Sequence, residues 1–346
     1  MPDRNCGAYP KMSFSAGFGE WLAGTRCSLV LSTYHSGKLI TVGTAADGTV
    51  KLDSVGFGRC MGMAADRSGF WASTTHQLWR FDRLIEPNAE NGASLKFIPQ
   101  AALTTGLVNC HDVAIGPNKT PMFANTLFNC IATTDHRHSF VPIWRPDFIS
   151  DIAPDDRCHL NGICAVDGEL RLATGFAHSN EPEGWRDIEE DGWLIDIRNP
   201  DRSVGGLVQP HSPRLFGNEA WLLNSGAGAL GRVVDGRFEP VFIHGGYPRG
   251  LSRIGDHLLV GLSKERRNGE FYNLPIGKCL EERGMSAGCG VDILDMSAGK
   301  VAHWIRFETI VTELFDVLVL QNCTDPTLLP PFSDIAQRAY AIGTSA

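Results

Sequence analysis

The chain has 346 residues, a formal net charge of −8 and an ordinary composition, with 43% apolar and 20% charged residues. Acidic and basic residues are interspersed, so there is no basic stripe, and we expect no nucleic acid as a partner. No apolar run approaches the ~20 residues of a membrane span, and the first residues lack the pattern of a secretory signal. We therefore expect a cytoplasmic protein with no membrane partner.

The first predicted elements are a short helix at 18–23, a strand at 27–35 and its hairpin partner at 38–42. This strand pair resembles a later one at 70–76 and 78–81, because a Ser-Thr-x-His segment ends the first strand of both pairs. The chain therefore begins with the middle strands of a repeated unit, and the first strand of that unit has to lie elsewhere in the sequence.

A polar segment that opens a short apolar run recurs along the rest of the chain, most clearly at 109–116. A second apolar run follows each opening and ends in small polar residues, as at Asn125-Thr126 and Asn224-Ser225. Internal repeats of this length are typical of propellers and other repeat architectures. The predicted first strands open at six positions: Met61, His111, Leu160, His211, Pro248 and Phe315.

The last copy has a first strand at 313–320 and no second strand after it. A unit divided between the two termini is how a β-propeller closes its ring. We therefore predict an all-β fold, a single six-bladed β-propeller at 27–322 whose last blade is closed by N- and C-terminal strands. Residues 1–26 form an N-terminal extension and 323–346 a C-terminal tail in this prediction. A pair of β-sandwiches is the alternative, but it would not explain the divided repeat.

The ten cysteines are spread over the whole chain, and we expect free thiols rather than disulfides. No two of them have the spacing of a zinc ribbon or a thioredoxin motif. Cys60, Cys110 and Cys158 lie beside the predicted channel, and the sequence leaves open whether they face it or the blades.

In a propeller, the start of each first strand and the end of each second strand open on the same face. This geometry gathers polar residues that are far apart in sequence, which is the default binding-site hypothesis for the fold. The first strands contribute His111, Asp112, His159, Asn161, His211, Arg214, Arg249 and Asp316. The second strands contribute His35, His76, Asn125, His178, Asn224 and Lys264.

Three histidines from successive blades, His111, His159 and His211, are candidate metal ligands. Imidazoles from three walls can leave coordination positions open for water or substrate, as in catalytic zinc sites and several iron or copper sites. We therefore expect a divalent transition metal (Fe, Cu or Zn), and the sequence has no nucleotide-cofactor motif. His159 lies one place out of register with the other two, which favours the alternative of a hydrogen-bonding histidine ring.

The candidate catalytic residues are Asp112, Asp316 and Arg249, with the acids handling protons. The candidate substrate-binding residues are Arg214, Arg249, Asn161, Asn125, Asn224, His178 and Lys264. The two acids have an alternative role, because propeller acids often tie adjacent first strands to backbone amides. An arginine in a channel needs a partner, so Arg214 and Arg249 pair either with these acids or with an anionic ligand.

The segment 181–187 is too long for a hairpin turn. It either overhangs the channel as a lid or forms a solvated loop, and we favour the loop.

Several of these segments carry a family resemblance. His111-Asp112, His159-Leu160-Asn161-Gly162 and the segments 31–34, 77–81, 125–128, 143–146, 210–214, 246–250 and 313–317 resemble, in combination, the TIGR03032 family of uncharacterised bacterial proteins, which is related to the DUF4915 group. The resemblance runs from about 29 to 320. It implies a shared fold and a shared site, and it names no substrate.

Two classes of function follow. The first is a metal-dependent enzyme that acts on a small polar or anionic molecule, or a peptide, at the mouth of the channel, by oxidation, lyase or isomerase chemistry, or hydrolysis. The second is a non-catalytic ligand- or protein-binding propeller in which the ring of His, Asp and Arg is structural. The concentration of these residues at equivalent blade positions favours the enzyme, whereas the fold alone would not. The oligomeric state stays open.

Overall fold

The structure is a computed structural model that describes residues 10–84, 94–264, 274–309 and 311–340. These residues form 26 β-strands in six sheets and two short helices, α1 (Phe18–Thr25) and α2 (Pro275–Glu282). The six sheets are the blades of a β-propeller, so the predicted fold class is confirmed. The predicted helix at 18–23 corresponds to α1.

We number the blades from the one that joins the two ends of the chain, and give the strands of each from the channel outwards. Blade 1 contains β25 (Leu314–Gln321), β2 (Cys27–Thr33), β3 (Lys38–Thr44) and β4 (Val50–Gly56). Blade 2 contains β5 (Met63–Asp66), β6 (Gly69–Ser73), β7 (Gln77–Leu84) and β8 (Ser94–Thr104). Blade 3 contains β9 (Cys110–Ile115), β10 (Pro121–Asn125), β11 (Cys130–Thr133) and β12 (Val141–Trp144).

Blade 4 contains β13 (Leu160–Val166), β14 (Glu169–Gly175), β15 (Gly192–Asp196) and β16 (Val204–Leu207). Blade 5 contains β17 (Pro210–Phe216), β18 (Glu219–Asn224), β19 (Ala229–Val234) and β20 (Arg237–Ile243). Blade 6 contains β21 (Tyr247–Ile254), β22 (His257–Ser263), β23 (Gly290–Asp295) and β24 (Lys300–Phe307).

Blade 1 closes the ring as the divided repeat predicts. β25 pairs antiparallel with β2 along its length, from Cys27 opposite Gln321 to Thr33 opposite Leu314. The first strands of neighbouring blades contact one another around the channel. Apolar clusters fill the space between blades; one of them joins Val30 and Leu39 of blade 1 to Phe70 and Phe81 of blade 2.

The described parts of both flanking segments add a strand to a blade. β1 (Met12–Phe14) pairs antiparallel with β24 at the edge of blade 6. β26 (Asp325–Leu328) pairs parallel with β8 at the edge of blade 2. Residues 1–9 and 341–346 of the predicted extension and tail lie outside the described residues. The described parts of the predicted extension (1–26) and tail (323–346) are therefore paired with edge strands of the propeller.

Side-chain hydroxyls at the ends of second strands join one blade to the next. Each hydroxyl donates a hydrogen bond to a main-chain carbonyl at or just before the first strand of the following blade. The distances are 2.6 Å from Ser32 to Met61, 3.3 Å from Ser73 to Cys110, 2.6 Å from Thr126 to Leu160, 2.7 Å from Ser225 to Pro248 and 2.8 Å from Ser263 to Leu314. These inter-blade hydroxyl bonds occupy five of the six blade junctions, and the small polar residues of the sequence repeat supply them.

A second set of hydrogen bonds joins first strands of neighbouring blades through aspartate side chains. Asp112 accepts the backbone N–H of Ile163 at 3.0 Å, and Asp316 accepts that of Met63 at 2.9 Å. Glycine lies at the intervening junctions because there is no room for a Cβ: one added to Gly62 would lie 2.5 Å from the Cα of Asp112. Acid-to-amide bonds and close glycine contacts therefore lie at different junctions between first strands.

We expect the C-terminal segment to contribute to the stability of the propeller. Leu328 is 2% exposed and packs in the cluster between blades 1 and 2. Leu328→Ala should therefore lower the free energy of unfolding by about 2–5 kcal/mol, measured by urea denaturation. The control is Ile335→Ala, because Ile335 is 68% exposed. This substitution should change the free energy of unfolding by less than about 0.5 kcal/mol. Equal, small effects of both substitutions would contradict this role.

Candidate functional site

One end of the channel opens into a cavity of about 490 Å³, which we call the mouth cavity. Its volume lies in the range of small-molecule sites. Among the predicted residues, His111, His159, Arg249 and Lys264 line it. Its aromatic walls come from Tyr34, Phe176, Trp185, Tyr247 and Phe315.

The hydrogen bonds of His111 define its tautomer. Its Nδ1 lies 2.8 Å from the carbonyl oxygen of Asn109 and 2.8 Å from Oγ1 of Thr126. The Thr126 hydroxyl already donates to the Leu160 carbonyl, so its oxygen accepts from the imidazole. Nδ1 of His111 therefore carries the proton, and Nε2 keeps its lone pair.

His211 repeats this arrangement in blade 5. Its Nδ1 lies 2.9 Å from the carbonyl oxygen of Gln209 and 2.9 Å from Oγ of Ser225, whose hydroxyl donates to the carbonyl of Pro248. His211 is only 2% exposed, and its Nε2 has no hydrogen-bond partner in the described parts of the chain. Its ring contacts the rings of Phe176 and Tyr247.

His159 is held by a carboxylate instead of a hydroxyl. Its Nδ1 lies 2.9 Å from Oδ2 of Asp156, and the two side chains are 13% and 10% exposed. The ring packs against Phe176 and Trp185, with centroids 4.5 and 4.2 Å away. Trp185 belongs to the segment 181–187. Its indole lies in the cavity wall and packs against His159. This part of the segment therefore agrees with the lid alternative and not with the solvated loop that the sequence favours.

His111 and His211 are neutral near pH 7 because the pKa of each lies below its ordinary value. Burial lowers the pKa of His111 to about 3, and His159 acts in the same direction. Burial, followed by the charge of Arg249, lowers the pKa of His211 well below its usual range. Burial acts to raise the pKa of Asp156, but the charge and hydrogen bond of His159, together with His111 and Trp185, hold that pKa below its usual value.

Arg249 is the main cationic group in the wall of the cavity. Its NH1 donates to Oε1 of Glu313, a carboxylate that His35 also contacts, with 3.0 Å between His35 Nε2 and Oε2. The guanidinium lies 5.1 Å from the ring centroid of Tyr247 and 5.0 Å from that of Phe315. The rings and Glu313 therefore fix the guanidinium at the edge of the cavity, where the Glu313 carboxylate is its ion-pair partner.

The three predicted metal ligands do not form one ligand set in this structure. The rings of His111 and His159 meet edge to face with centroids 4.8 Å apart, whereas Phe176 contacts both His159 and His211. Across the described ranges, no three His, Cys, Asp or Glu side chains are grouped so that they could hold a metal ion. The tautomers of His111 and His211 leave their Nε2 atoms unprotonated, as in metal ligands.

Asp112, Asp316 and Arg214 lie deeper in the channel and contact one another or the backbone. Arg214 NH1 donates to Oδ2 of Asp112 at 3.0 Å and to the carbonyl of Ile163 at 3.1 Å. Burial raises the pKa of Asp316 to about 7, opposed by the charge of Arg214 and reinforced by that of Asp112. Arg214 and Asp316 line a separate cavity of about 480 Å³. The structure therefore places both acids as ties between strands, the alternative role noted above.

The remaining predicted residues are scattered. Asn125 and Asn224 are buried and accept backbone N–H groups of Phe128 and Val208 at 3.1 and 2.7 Å. His178 is exposed and contacts Asp191 at 3.0 Å. Asn161 is 3% exposed, and no described residue is a hydrogen-bond partner of its Nδ2. His76 is exposed.

The three cysteines beside the channel face the blades. Cys60, Cys110 and Cys158 are at most 3% exposed and belong to the apolar clusters between blades. Burial raises the pKa of each thiol above its usual value. They behave as small apolar side chains, and the nine described cysteines are all free thiols.

Sequence reasoning missed several residues of the site, namely Asp156, Phe176, Tyr247 and Glu313. One signal was available: Asp156 precedes His159 by three residues, the same spacing as in the exposed Asp135–His138 pair. Glu313 is a lone acid directly before an apolar first strand. No sequence signal distinguishes Phe176 and Tyr247 from core aromatics.

A six-bladed β-propeller with an aromatic, histidine-containing cavity at one end of its channel is the class of protein that this fold and site define. The chain belongs to the family described as Domain of unknown function (DUF4915), whose model matches residues 16–329. A search of curated proteins finds no significant match. No helix within the described residues has the length and apolar character needed to cross a bilayer.

Two solved structures resemble the fold. A chain from the crystal structure of a nidogen/laminin complex matches with a TM-score of 0.50 at 10% identity, over 86% of this chain and 99% of that chain. A protein of unknown function from Bacteroides caccae matches with a TM-score of 0.53 at 11% identity, over 85% of this chain and 98% of that chain. At these identities the likeness concerns the fold alone.

We expect the stability to decrease in acid because His111 is neutral in the folded protein. Its folded pKa of about 3 lies below the ordinary 6.5, so its contribution is complete above pH 6.5 and is lost as the pH falls toward 3. Between about pH 7.5 and about pH 5, the unfolding free energy of the wild type should fall by about 2 kcal/mol more than that of His111→Gln. Urea denaturation at the two pH values measures this difference.

The control for this experiment is His76→Gln, because His76 is exposed. This variant should keep the pH dependence of the wild type. The same pH dependence in the wild type and in His111→Gln would contradict a neutral His111 in the folded protein.

Proposed function

We propose that the protein is an enzyme that binds a small anionic molecule in the mouth cavity and transfers a proton to or from it. The observation that carries this proposal is the Asp156–His159 pair, joined at 2.9 Å and largely buried beside the cavity. A carboxylate on Nδ1 orients the imidazole and stabilises the imidazolium that forms when Nε2 takes a proton. His159 is the base in this proposal, and Asp156 is its positioning residue.

Arg249 supports an anionic substrate. Its guanidinium lies in the wall of the same cavity as His159, between two aromatic rings. A carboxylate or phosphate oxygen of a substrate would bind there beside Glu313. Lys264 and Arg186 add positive charge to the lining. Of the catalytic residues predicted from sequence, this proposal retains Arg249 and replaces Asp112 and Asp316 with His159.

The reaction class stays open in this proposal. A base held beside an anion-binding arginine serves lyase, isomerase and hydrolytic reactions alike. Membership of the TIGR03032 family and a cytoplasmic location also stay predictions.

A non-catalytic ligand-binding propeller is the second candidate function. It is favoured by one observation, the contacts of Asp112, Asp316 and Arg214 with one another and with the backbone, which give these three residues a structural role. In this second candidate the ligand also binds in the mouth cavity, but it is released without being chemically converted.

We test the enzyme directly with a mixture of small polar metabolites incubated with the full chain and followed by untargeted mass spectrometry. We expect the wild type to convert at least one anion, and His159→Gln to lower that rate by about 10²–10⁴ because the base is lost. His138→Gln is the matched control: it removes a histidine with the same spacing to its acid, but the pair is exposed on the surface. It should keep the wild-type rate.

Two results would contradict this proposal. One is a wild-type protein that changes no anion in the mixture, which would favour the ligand-binding propeller. The other is a His159→Gln variant that keeps the wild-type rate, which would remove His159 as the base.

The predicted divalent metal (Fe, Cu or Zn) has its own test, elemental analysis of protein purified without chelator or histidine tag. Since the three histidines do not group as ligands in this structure, we expect less than stoichiometric metal in the wild type and no further loss in His111→Ala/His211→Ala. Near-stoichiometric metal that disappears in the double variant would establish the metal site and would show that the histidines come together when it binds.

A further inference from the structure

The mouth cavity is lined by more positive than negative side chains. Three cationic side chains and two carboxylates line it: Arg186, Arg249, Lys264, Asp156 and Glu313. Glu313 is paired with Arg249, and its side chain is 4% exposed. Asp156 is paired with His159, and its side chain is 10% exposed. Both carboxylates are therefore engaged with the protein, and the lining keeps an excess of positive charge in a chain whose formal net charge is −8.

The excess positive charge resides on Lys264 and Arg186. Lys264 is exposed directly after β22, and no described residue is an ion-pair partner of its ammonium group. Arg186 lies beside Glu183, with 3.5 Å between Nε and Oε2, and both side chains are more than half exposed. An exposed ion pair of this kind contributes little to stability. The ammonium and the guanidinium are therefore both available to anionic groups of a ligand.

These two cations lie on different walls of the cavity. The guanidinium of Arg186 lies 4.4 Å from the ring centroid of Trp185, and the other ring beside this indole is that of the proposed base, His159, at 4.2 Å. Arg186 and Trp185 lie between the second and third strands of blade 4, whereas Lys264 follows the second strand of blade 6 and Arg249 belongs to the first strand of that blade. A ligand that contacts both walls has to span the cavity, and its end at Arg186 lies beside the base.

We propose that the ligand of the mouth cavity carries two anionic groups, one bound by Lys264 together with Arg249 and the other by Arg186 beside the ring of Trp185. This inference rests on the proposed function and adds the substrate class to it. A ligand with a single anionic group leaves the cation of one wall without a charged partner. Dicarboxylates and carboxylates with a phosphate or phosphonate at the other end share this chemistry, and a cavity of about 490 Å³ has room for a short carbon chain between the two groups.

The test is isothermal titration calorimetry of the full chain at low ionic strength, where exposed charges are least screened. Succinate and 3-phosphonopropionate are the probes with two anionic ends. Succinamate and propylphosphonate have similar size and one anionic end, and succinamide is the neutral counterpart. We expect succinate or 3-phosphonopropionate to bind at least ~10-fold more tightly than its counterpart with one anionic end, and succinamide to bind most weakly. The stronger of the two identifies a carboxylate or a phosphonate as the second anionic group.

Three variants test the two walls separately. Arg186→Met and Lys264→Met each remove one cation, so each variant should bind succinate no more tightly than it binds succinamate. Both side chains are more than half exposed or lie at the surface, so we expect both variants to fold. Lys300→Met is the matched control, because Lys300 is an exposed cation at the start of β24. It should keep the ~10-fold preference of the wild type for the probe with two anionic ends.

The outcomes separate this inference from the proposed function. Succinamate or propylphosphonate binding as tightly as the probes with two anionic ends, with binding lost in Arg249→Met, would overturn the second anionic group and leave the anion site at Arg249 intact. A preference for succinate that persists in Arg186→Met and Lys264→Met would overturn the assignment of these two cations. Succinamide binding as tightly as succinate, or no binding of any of the five probes, would count against this inference and the anion site together.

Discussion

The inter-blade hydroxyl bond is the interaction on which both the ring and the site depend. Each blade is a separate β-sheet, with no backbone ladder to its neighbour. Apolar packing between blades is non-directional, so it sets the packing angle between two neighbouring sheets less precisely than a hydrogen bond does. A serine or threonine at the end of one second strand, bonded to a carbonyl at the edge of the next blade, defines that angle. Each bond is buried, so losing one would leave an acceptor without a partner.

Thr126 and Ser225 use the same hydroxyl for a second purpose. The oxygen that donates across the junction accepts from His111 or His211, and this makes Nδ1 the protonated nitrogen. A structural bond thereby determines the chemical character of the channel wall, an array of neutral imidazole acceptors. Asp156 plays the equivalent part for His159, because its carboxylate oxygen lies 2.9 Å from Nδ1 of that ring.

The fold followed from sequence because a degenerate repeat and its division between the termini are properties of the chain itself. The six openings lie at or beside the observed first strands, and small polar residues after the second apolar runs supply the inter-blade hydroxyls at five of the six junctions. The site followed only in part. Asp112 and Asp316 bond to amides of a neighbouring blade, and a contact between residues 51 and 253 positions apart leaves no local pattern in the sequence. His159 has a positive φ of 48°, as Asn109 and Gln209 have at 52° and 49°, and each of the three directly precedes a first strand. His159 therefore corresponds to Asn109 and Gln209, and Asn161 takes the strand position of His111 and His211.

The most direct test of this account is the protonation state of the three imidazoles, measured at about pH 7 by long-range ¹H–¹⁵N NMR correlation of uniformly ¹⁵N-labelled protein, with assignment by single His→Gln variants. We expect His111 and His211 to be neutral with the proton on Nδ1, because hydroxyl and carbonyl oxygens accept there. We also expect a proton on Nδ1 of His159, because the carboxylate of Asp156 accepts there. A proton on Nε2 of His111 or His211 would contradict this account, since the channel wall would then present donors instead of acceptors.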